Sequence, residues 1–222
     1  MNIGNISSEK FFVSWSGGKD SYLSLLFACD MGLNVECLLT FTDEDGQSRS
    51  HGISIDILRR QAEALGLRLE TEKVTWKKYE EGFIRATDRF KSQGITGGVF
   101  GDINLQDHRD WIEKICERCN ITYQLPLWGM SERKLFEKLL DRGGKAVIVS
   151  VCNERIQEDW LGSYLNKSFL RFCESKGLSP CGERGEYHTL VVDGPFFSKP
   201  LKCHFGRINQ KGKRSYLECK SY

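Results

Sequence analysis

The sequence of 222 residues predicts an α/β fold, in which a doubly wound parallel sheet is followed by a smaller C-terminal α+β domain. Two observations predict this fold. Short apolar runs alternate with helical patterns through the first half of the chain, which favours a parallel sheet with helices on both faces. After Pro126 the alternation stops, and glycine and proline punctuate the chain. We therefore predict an N-terminal domain at residues 1–127 and a C-terminal domain at residues 128–222.

Five strands and four helices are predicted in the N-terminal domain. The strands are short runs rich in apolar and β-branched residues, at Phe11–Trp15, Val35–Thr42, Leu67–Val74, Gly98–Ile103 and Thr122–Leu127. The helices carry apolar residues at the spacing of one helix face, at Tyr22–Met31, Ile53–Leu65, Trp76–Gln93 and Asp107–Cys119. Ligands of such sheets bind at the carboxyl ends of the strands, so we expect the functional residues there.

The C-terminal domain is predicted to contain two helices, a buried strand and a hairpin. The helices are Ser131–Asp141 and Lys167–Lys176, the strand is Lys145–Cys152, and the hairpin turns around Asn209–Lys213. The segment from Ser198 to the end is strongly basic, with seven Lys or Arg against one Glu. This excess is explained by a solvated hairpin, although it would also suit a macromolecular partner.

The bulk composition excludes several classes of protein. The 32 basic and 30 acidic side chains nearly cancel, so the surface as a whole does not indicate a nucleic-acid or membrane partner. No run approaches the roughly 20 apolar residues of a membrane-spanning helix, and the N-terminus does not resemble a secretory signal. Nine scattered cysteines favour reduced thiols over disulfides. We therefore expect a cytoplasmic protein.

The segment SGGKDS, Ser16–Ser21, is a candidate anion site. It lies between the first predicted strand and helix, so backbone amides and the positive end of the helix dipole converge there. Its glycines permit close approach of a phosphate, and Lys19 adds a positive charge. The Walker pattern is not met, because Asp20 follows Lys19 and Val13 stands at the first glycine position. The structural alternative is a turn capped by Asp20 or Ser21.

The SGGxDS pattern resembles the phosphate loop of the PP-loop ATP pyrophosphatases. This resemblance implies a Rossmann-like sheet of the HUP (adenine nucleotide α hydrolase-like) type, with ATP and Mg²⁺ as cofactors. It also implies that ATP is cleaved between its α and β phosphates, that the loop holds the departing pyrophosphate, and that AMP is left on a substrate oxygen. A nucleophile would then displace the AMP.

Four further segments make the resemblance more specific. They are VFGDINLQDHRDWIEKIC (Val99–Cys116), LPLWGMSERKLFEKLLDRGGKAVIVSV (Leu125–Val151), DWLG (Asp159–Gly162) and CGERGEYHTLVVDGPFF (Cys181–Phe197). In this order they resemble the diphthine-ammonia ligase family, also described as the N-type ATP pyrophosphatase or ATP-binding domain 4 family. The implied enzyme adenylates the carboxylate of diphthine on elongation factor 2 and amidates it with ammonia.

The matched motifs imply roles for individual residues. Those implied to bind the ATP phosphates are Ser16, Gly17, Gly18, Lys19, Asp20 and Ser21. Those implied to line the acceptor and ammonia side are Glu183, Gly185, Glu186, Tyr187, His188 and Thr189. The expected catalytic residues are Lys19, Asp20, Glu183, Glu186 and His188, and which of the last three deprotonates ammonium is left open.

Other predicted ligand residues follow neighbouring strands. His51, Gly52 and Asp102 lie where the switch point of the sheet places ligand residues, and they match the family pattern. Asp20 and Asp102 are the expected Mg²⁺ ligands, and Arg109 is expected to face the substrate from the start of a helix. Structural alternatives are a capping or core position for His51, a helix cap for Asp102, a solvated helix position for Arg109, and a solvated loop for the two glutamates.

Three other functions stay open at this stage. The first is a pyrophosphatase of the same family with another acceptor, which we expect if the source is bacterial. The second is a tRNA thiolase, although Cys116 and Cys119 fit buried helix positions better than a cluster site. The third is a non-catalytic nucleotide-binding module, which would not need the GERGEYH motif. Expected partners are ATP, ammonia and elongation factor 2; nucleic acid is not expected, and a homodimer is left open.

Overall fold

The computed structural model describes residues 9–43, 46, 48 and 53–221. The predicted ligand residues His51 and Gly52 lie outside these ranges. The first half of the chain forms a five-stranded parallel sheet, which confirms the predicted α/β class. Its strands are β1 (Lys10–Ser14), β2 (Asn34–Thr42), β3 (Arg68–Lys73), β4 (Ile95–Val99) and β5 (Thr122–Gln124).

The order of these strands across the sheet is β3-β2-β1-β4-β5. All four neighbouring pairs are parallel. The chain runs outward from β1 to β3 on one side and then crosses to β4 on the other side, so the order reverses between β1 and β4. A sheet of this kind binds ligands at that switch point, beyond the carboxyl ends of its strands.

Four helices cover the two faces of the parallel sheet. They are α1 (Lys19–Asp30), α2 (Ile55–Leu65), α3 (Tyr79–Ser92) and α4 (Gln106–Cys119). Side chains alternate along β1, so Phe11 and Val13 join an apolar cluster with α1 and α2, whereas Phe12 joins a cluster with α3 and α4. Large apolar residues at successive positions of β1 therefore account for the doubly wound arrangement.

The second half of the chain forms a separate antiparallel sheet. Its elements are α5 (Glu132–Asp141), β6 (Lys145–Cys152), α6 (Lys167–Ser175), β7 (Tyr187–Asp193), β8 (Cys203–Lys211) and β9 (Arg214–Ser221). The strand order is β7-β6-β9-β8, and β8 and β9 form the predicted hairpin. The apolar cluster of α1 and α2 continues into Leu135, Val147 and Leu190. The two halves thus share one core, and the boundary at residue 127 stays a prediction.

The structure differs from the predicted elements in three places. β4 lies earlier than the predicted Gly98–Ile103, β5 ends before Leu127, and β7 was not predicted as a strand. Ile103 and Leu127 are fully buried although they belong to no strand. The strand ends that we predicted from apolar residues were therefore wrong. Connections near the core bury their side chains as completely as strands do. Within the described ranges, no helix combines the length and apolar character needed to cross a bilayer.

Candidate functional site

A cavity of about 520 Å³ opens at the carboxyl ends of β1, β2 and β4. Two segments border it: the SGGKDS turn, Ser16–Ser21, and a stretch that we call the GERGE segment, Ser179–Thr189. The predicted site residues that line the cavity are Ser16, Lys19, Asp20, Ser21, Asp102, Glu183, Gly185, Tyr187, His188 and Thr189. Glu186 and Arg109 lie outside this lining.

The SGGKDS turn needs glycine at Gly17, and neither of its two glycines is among the residues that line the cavity. Gly17 has a φ of +80°, in the left-handed region, and a Cβ there would lie 2.5 Å from Cδ2 of Leu58. The carbonyl oxygen of Gly17 accepts a hydrogen bond from the Val191 amide at 2.9 Å. Gly18 is the N-cap residue, so α1 begins at Lys19 without a side-chain cap. The positive end of the α1 dipole therefore lies at the cavity.

Lys19 joins the turn to the GERGE segment. It is only 3% exposed, and its ammonium donates to Asp20 Oδ2 at 2.6 Å, to Asp20 Oδ1 at 2.8 Å and to the Cys181 carbonyl oxygen. Its backbone amide donates to Thr189 Oγ1 at 3.0 Å. Burial alone lowers the pKa of Lys19, but the charge of Asp20 and its neighbours raises that pKa above the ordinary value. The buried ammonium is therefore charged at neutral pH.

Three carboxyl groups in this part of the cavity lie close enough to influence one another. Asp20, Asp102 and Glu183 line the same cavity. Burial raises the pKa of Asp20, and Asp102 raises it further, although Lys19 acts in the opposite direction. Burial, with a contribution from Asp20, also raises the pKa of Glu183 to about 7. Glu183 therefore exchanges a proton near neutral pH, which suits a general base or acid.

Asp20 and Asp102 have the donor chemistry that suits Mg²⁺. In nucleotide sites this ion is usually held by one or two carboxylates together with substrate phosphates. The repulsion between these carboxylates contributes to the raised pKa of Asp20, and a cation would relieve it. Among the described residues, no group of three or more His, Cys, Asp or Glu side chains is arranged to hold a metal ion. A bound Mg²⁺ would therefore need the phosphates as additional ligands.

The connection between β4 and α4 brings Asp102 to the cavity. A Cβ on Gly101 would lie 2.9 Å from the Asp20 carbonyl oxygen, so glycine lets this connection pass close to the SGGKDS turn. Asp102 Oδ1 lies 3.0 Å from His108 Nδ1, and this hydrogen bond raises the pKa of His108. His108, which is in the first turn of α4, also lines the cavity.

Glu186 is turned into the GERGE segment. It is 0% exposed, and its carboxylate accepts hydrogen bonds from the Ser179 amide at 3.1 Å, the Arg184 amide at 3.0 Å and Arg155 Nη1 at 3.3 Å. The structure therefore does not bring Glu186 to the cavity, contrary to its predicted catalytic and substrate-binding role. A buried carboxylate that is satisfied by these donors holds the segment in shape instead.

Arg109 also points away from its predicted place. Its Nε donates to Glu113 Oε1 at 2.7 Å, and its guanidinium carbon lies 5.1 Å from the ring centroid of Trp128. These contacts tie α4 to the chain that leads into the second half. Arg109 is therefore placed to support the fold beside the cavity rather than to contact a ligand inside it.

Part of the cavity lining is aromatic and was not predicted from the sequence. Its members are Phe41, Trp76, Tyr79, Phe83, Phe100 and Trp111. They come from the ends of β2 and β4, from the single turn before α3, and from α3 and α4. The signal that could have found some of them was an aromatic residue close to the end of a predicted strand, as at Phe41 and Trp76.

Comparison with known proteins identifies relatives of both halves of the chain. The diphthamide synthase N-terminal domain matches residues 9–122, and the diphthamide synthase C-terminal domain matches residues 131–222. A diphthine–ammonia ligase of Schizosaccharomyces pombe is 26% identical over 93% of this chain, which spans 38% of that protein's length. Those of Rattus norvegicus and Homo sapiens are each 25% identical, over 84% of this chain and 79% of their own length. The chain therefore belongs to the diphthamide synthase family.

Proposed function

We propose that this chain is an AMP-forming C–N ligase that adenylates the carboxylate of diphthine on elongation factor 2 and amidates it with ammonia. The observation that supports this best is the set of hydrogen bonds made by Lys19. This residue of the SGGKDS turn donates to Asp20 in the turn and to Thr189 and Cys181 in the GERGE segment. Binding a nucleotide alone needs only the turn, whereas a ligase must bring a second substrate to the same phosphate. The names of the relatives support diphthine and ammonia as substrates.

In the first step the SGGKDS turn holds the β and γ phosphates of ATP. A carboxylate oxygen of the acceptor attacks the α phosphorus, the bond from this phosphorus to the bridging oxygen breaks, and pyrophosphate leaves. Negative charge grows on the leaving group, so the Lys19 ammonium and the α1 dipole stabilise the transition state more than bound ATP. Mg²⁺ held at Asp20 and Asp102 would supply additional positive charge.

In the second step ammonia attacks the acyl carbon of the adenylate. The C–N bond forms, the C–O bond to AMP breaks, and the nitrogen gives up a proton. Glu183 suits the role of proton acceptor because its pKa of about 7 leaves it partly ionised at neutral pH. His188 lines the same cavity and is the second candidate for this proton.

The position of the CxxC pair disfavours a tRNA thiolase. Cys116 and Cys119 are buried in α4, and burial raises the pKa of Cys116 to about 12. This thiol is therefore neutral and inaccessible, whereas a cluster ligand must be a thiolate. The proposal therefore includes no nucleic-acid partner. We also propose that the reaction takes place in the cytoplasm, and a homodimer stays a prediction.

The test is a reaction of the chain with ATP, ammonium and elongation factor 2 that carries diphthine. We expect the acceptor to change by the mass that separates a carboxylic acid from its amide, with one AMP and one pyrophosphate released per amide. Elongation factor 2 without diphthine is the matched control and should stay unchanged. Release of ADP and orthophosphate would contradict the mechanism. Normal AMP formation with a different carboxylate, but none with diphthine, would contradict only the assignment of diphthine as the acceptor.

A further inference from the structure

Four aromatic side chains form one side of the cavity. We call Phe41, Trp76, Tyr79 and Trp111 the aromatic wall, and all four line the cavity. We propose that this wall binds the planar heteroaromatic base of a nucleotide, with the indole of Trp76 stacked on the base. The inference rests on one part of the proposed function, namely that the nucleotide phosphates bind at the SGGKDS turn.

Tyr79 is the centre of the aromatic wall. Its ring centroid lies 4.5 Å from that of Phe41, 5.6 Å from that of Trp111 and 6.0 Å from that of Trp76. The rings of Trp76 and Tyr79 are nearly parallel, with an angle of 28° between their planes. Residues from β2, the turn before α3, α3 and α4 thus build one continuous π surface, which can receive a flat ring by stacking.

Trp76 is unusually exposed for a residue of this size. It is 68% exposed, the highest value among the large apolar side chains of the described part of the chain. Exposed apolar surface that continues into a cavity is typical of a binding site. A base stacked on the indole would cover this exposed surface.

The aromatic wall begins one strand away from the SGGKDS turn. Phe41 is the penultimate residue of β2, and β2 pairs with β1, whose end leads into the turn. Neighbouring strands lie about 4.8 Å apart, so a nucleotide with its phosphates at the turn can reach the wall with its base. The GERGE segment supplies hydrogen-bonding side chains such as Glu183 and Thr189 to the same cavity, and these suit the acceptor.

Aromatic walls also bind quaternary ammonium groups, so the two ligands must be distinguished. The aromatic wall shares its cavity with the SGGKDS turn, where the Lys19 ammonium and the start of α1 suit a phosphate. A ligand that carries both a flat ring and phosphates would therefore fill both parts of the cavity, whereas a quaternary ammonium group would fill only the wall.

The test is a calorimetric titration of the full chain with ATP and, separately, with inorganic tripolyphosphate. Trp76→Ala removes the indole, and Tyr164→Ala is the matched control, because Tyr164 is a half-exposed aromatic residue outside the cavity. Since stacking of a base on an aromatic side chain is worth about 1–3 kcal/mol, we expect Trp76→Ala to lower the affinity for ATP at least about fivefold. Tripolyphosphate, which lacks a base, should bind equally to both variants and to the unsubstituted chain.

Each other outcome has a definite meaning. An equal loss for ATP and tripolyphosphate, or no loss for ATP, would overturn the base site. Unchanged ATP affinity with slower amidation would also overturn it and would assign the wall to the acceptor. Lys19→Ala, measured in parallel, tests the phosphate site of the proposed function: if it leaves both ligands unaffected, that site fails, while the difference between the two ligands in Trp76→Ala still decides the base site.

Discussion

The SGGKDS turn and the GERGE segment face the same cavity but are held in place differently. Within the turn, Ser16 Oγ lies 3.2 Å from Ser21 Oγ and the Ser21 hydroxyl donates to the Gly18 carbonyl oxygen at 3.0 Å. Short-range bonds therefore shape the turn, and bonds from Gln61 and Val191 to the Gly17 carbonyl oxygen fix it against the rest of the fold.

The GERGE segment also bonds to residues 29 to 49 positions away along the chain. The Glu132 carboxylate accepts from the Cys181 amide at 3.1 Å, and Arg214 Nη1 donates to the Gly185 carbonyl oxygen at 2.6 Å. The shape of the turn thus has a strong local component, whereas the second side of the site also depends on other elements of the C-terminal half. Substitutions in the two regions should therefore have separable effects.

The largest expected effect comes from Lys19→Ala in the turn. Loss of the ammonium removes the charge beside the leaving pyrophosphate, so we expect AMP formation to fall by about 10³-fold. Pyrophosphate release measures this directly. Lys145→Ala is the matched control, because Lys145 is an exposed lysine paired with Asp193 far from the cavity lining. Turnover within a few-fold of normal in a folded Lys19→Ala variant would remove the turn from the mechanism.

Glu183→Gln should separate the second region from the first. The amide keeps the size of the side chain but cannot accept the proton of ammonia, so we expect amidation to fall by about 100-fold. Formation of the adenylate should persist, as measured by exchange of labelled pyrophosphate into ATP. Glu137→Gln, on the exposed side of α5, should leave both measurements unchanged. If Glu183→Gln abolished exchange, the two regions would not divide the reaction as described.

Glu186→Ala tests how the GERGE segment is held. The substitution leaves Arg155, Arg184 and the Ser179 amide without their buried acceptor, so we expect a loss of about 3 kcal/mol in the free energy of unfolding. Chemical denaturation measures this loss. Glu186→Gln retains hydrogen-bond acceptors and should lose less. Unchanged stability in the alanine variant would contradict the structural role and return Glu186 to the list of catalytic candidates.

The smallest expected effect is a pH dependence of amidation. The pKa of Glu183 is raised to about 7 by burial, so the carboxylate that accepts the proton is lost as the pH falls below 7. With free ammonia held constant, we expect the amidation rate to drop about tenfold per pH unit on the acid side. The profile should become flat in Glu183→Gln. A profile that keeps its shape in this variant would favour His188 as the base.

The parts of the fold that could be predicted from the sequence are those with a local signal. Alternating apolar and helical runs predicted the parallel sheet, and the SGGKDS run predicted the turn, because both are encoded in a few neighbouring residues. β7 was missed, since its sequence follows a segment rich in glycine and charge. The strand ends near Ile103 and Leu127 were misplaced because irregular connections there are as buried as strands.

The candidate site was predictable only on its phosphate side. Glu183 and Glu186 look equivalent in the sequence, but hydrogen bonds from Ser179, Arg184 and Arg155 hold the Glu186 carboxylate away from the cavity. The aromatic wall was missed because its residues lie on different elements and meet only after folding. Contacts that form only in the folded chain therefore decide which residue of a correctly identified motif reaches the ligand.

Exchange of labelled pyrophosphate into ATP, with the carboxylate acceptor present and ammonia absent, tests the central claim most directly. It isolates reversible adenylation at the SGGKDS turn from the proton transfer at the GERGE segment. We predict that the unsubstituted chain and Glu183→Gln both exchange label, whereas Lys19→Ala does not. Equal loss of exchange in both variants, or products consisting of ADP and orthophosphate, would contradict the account.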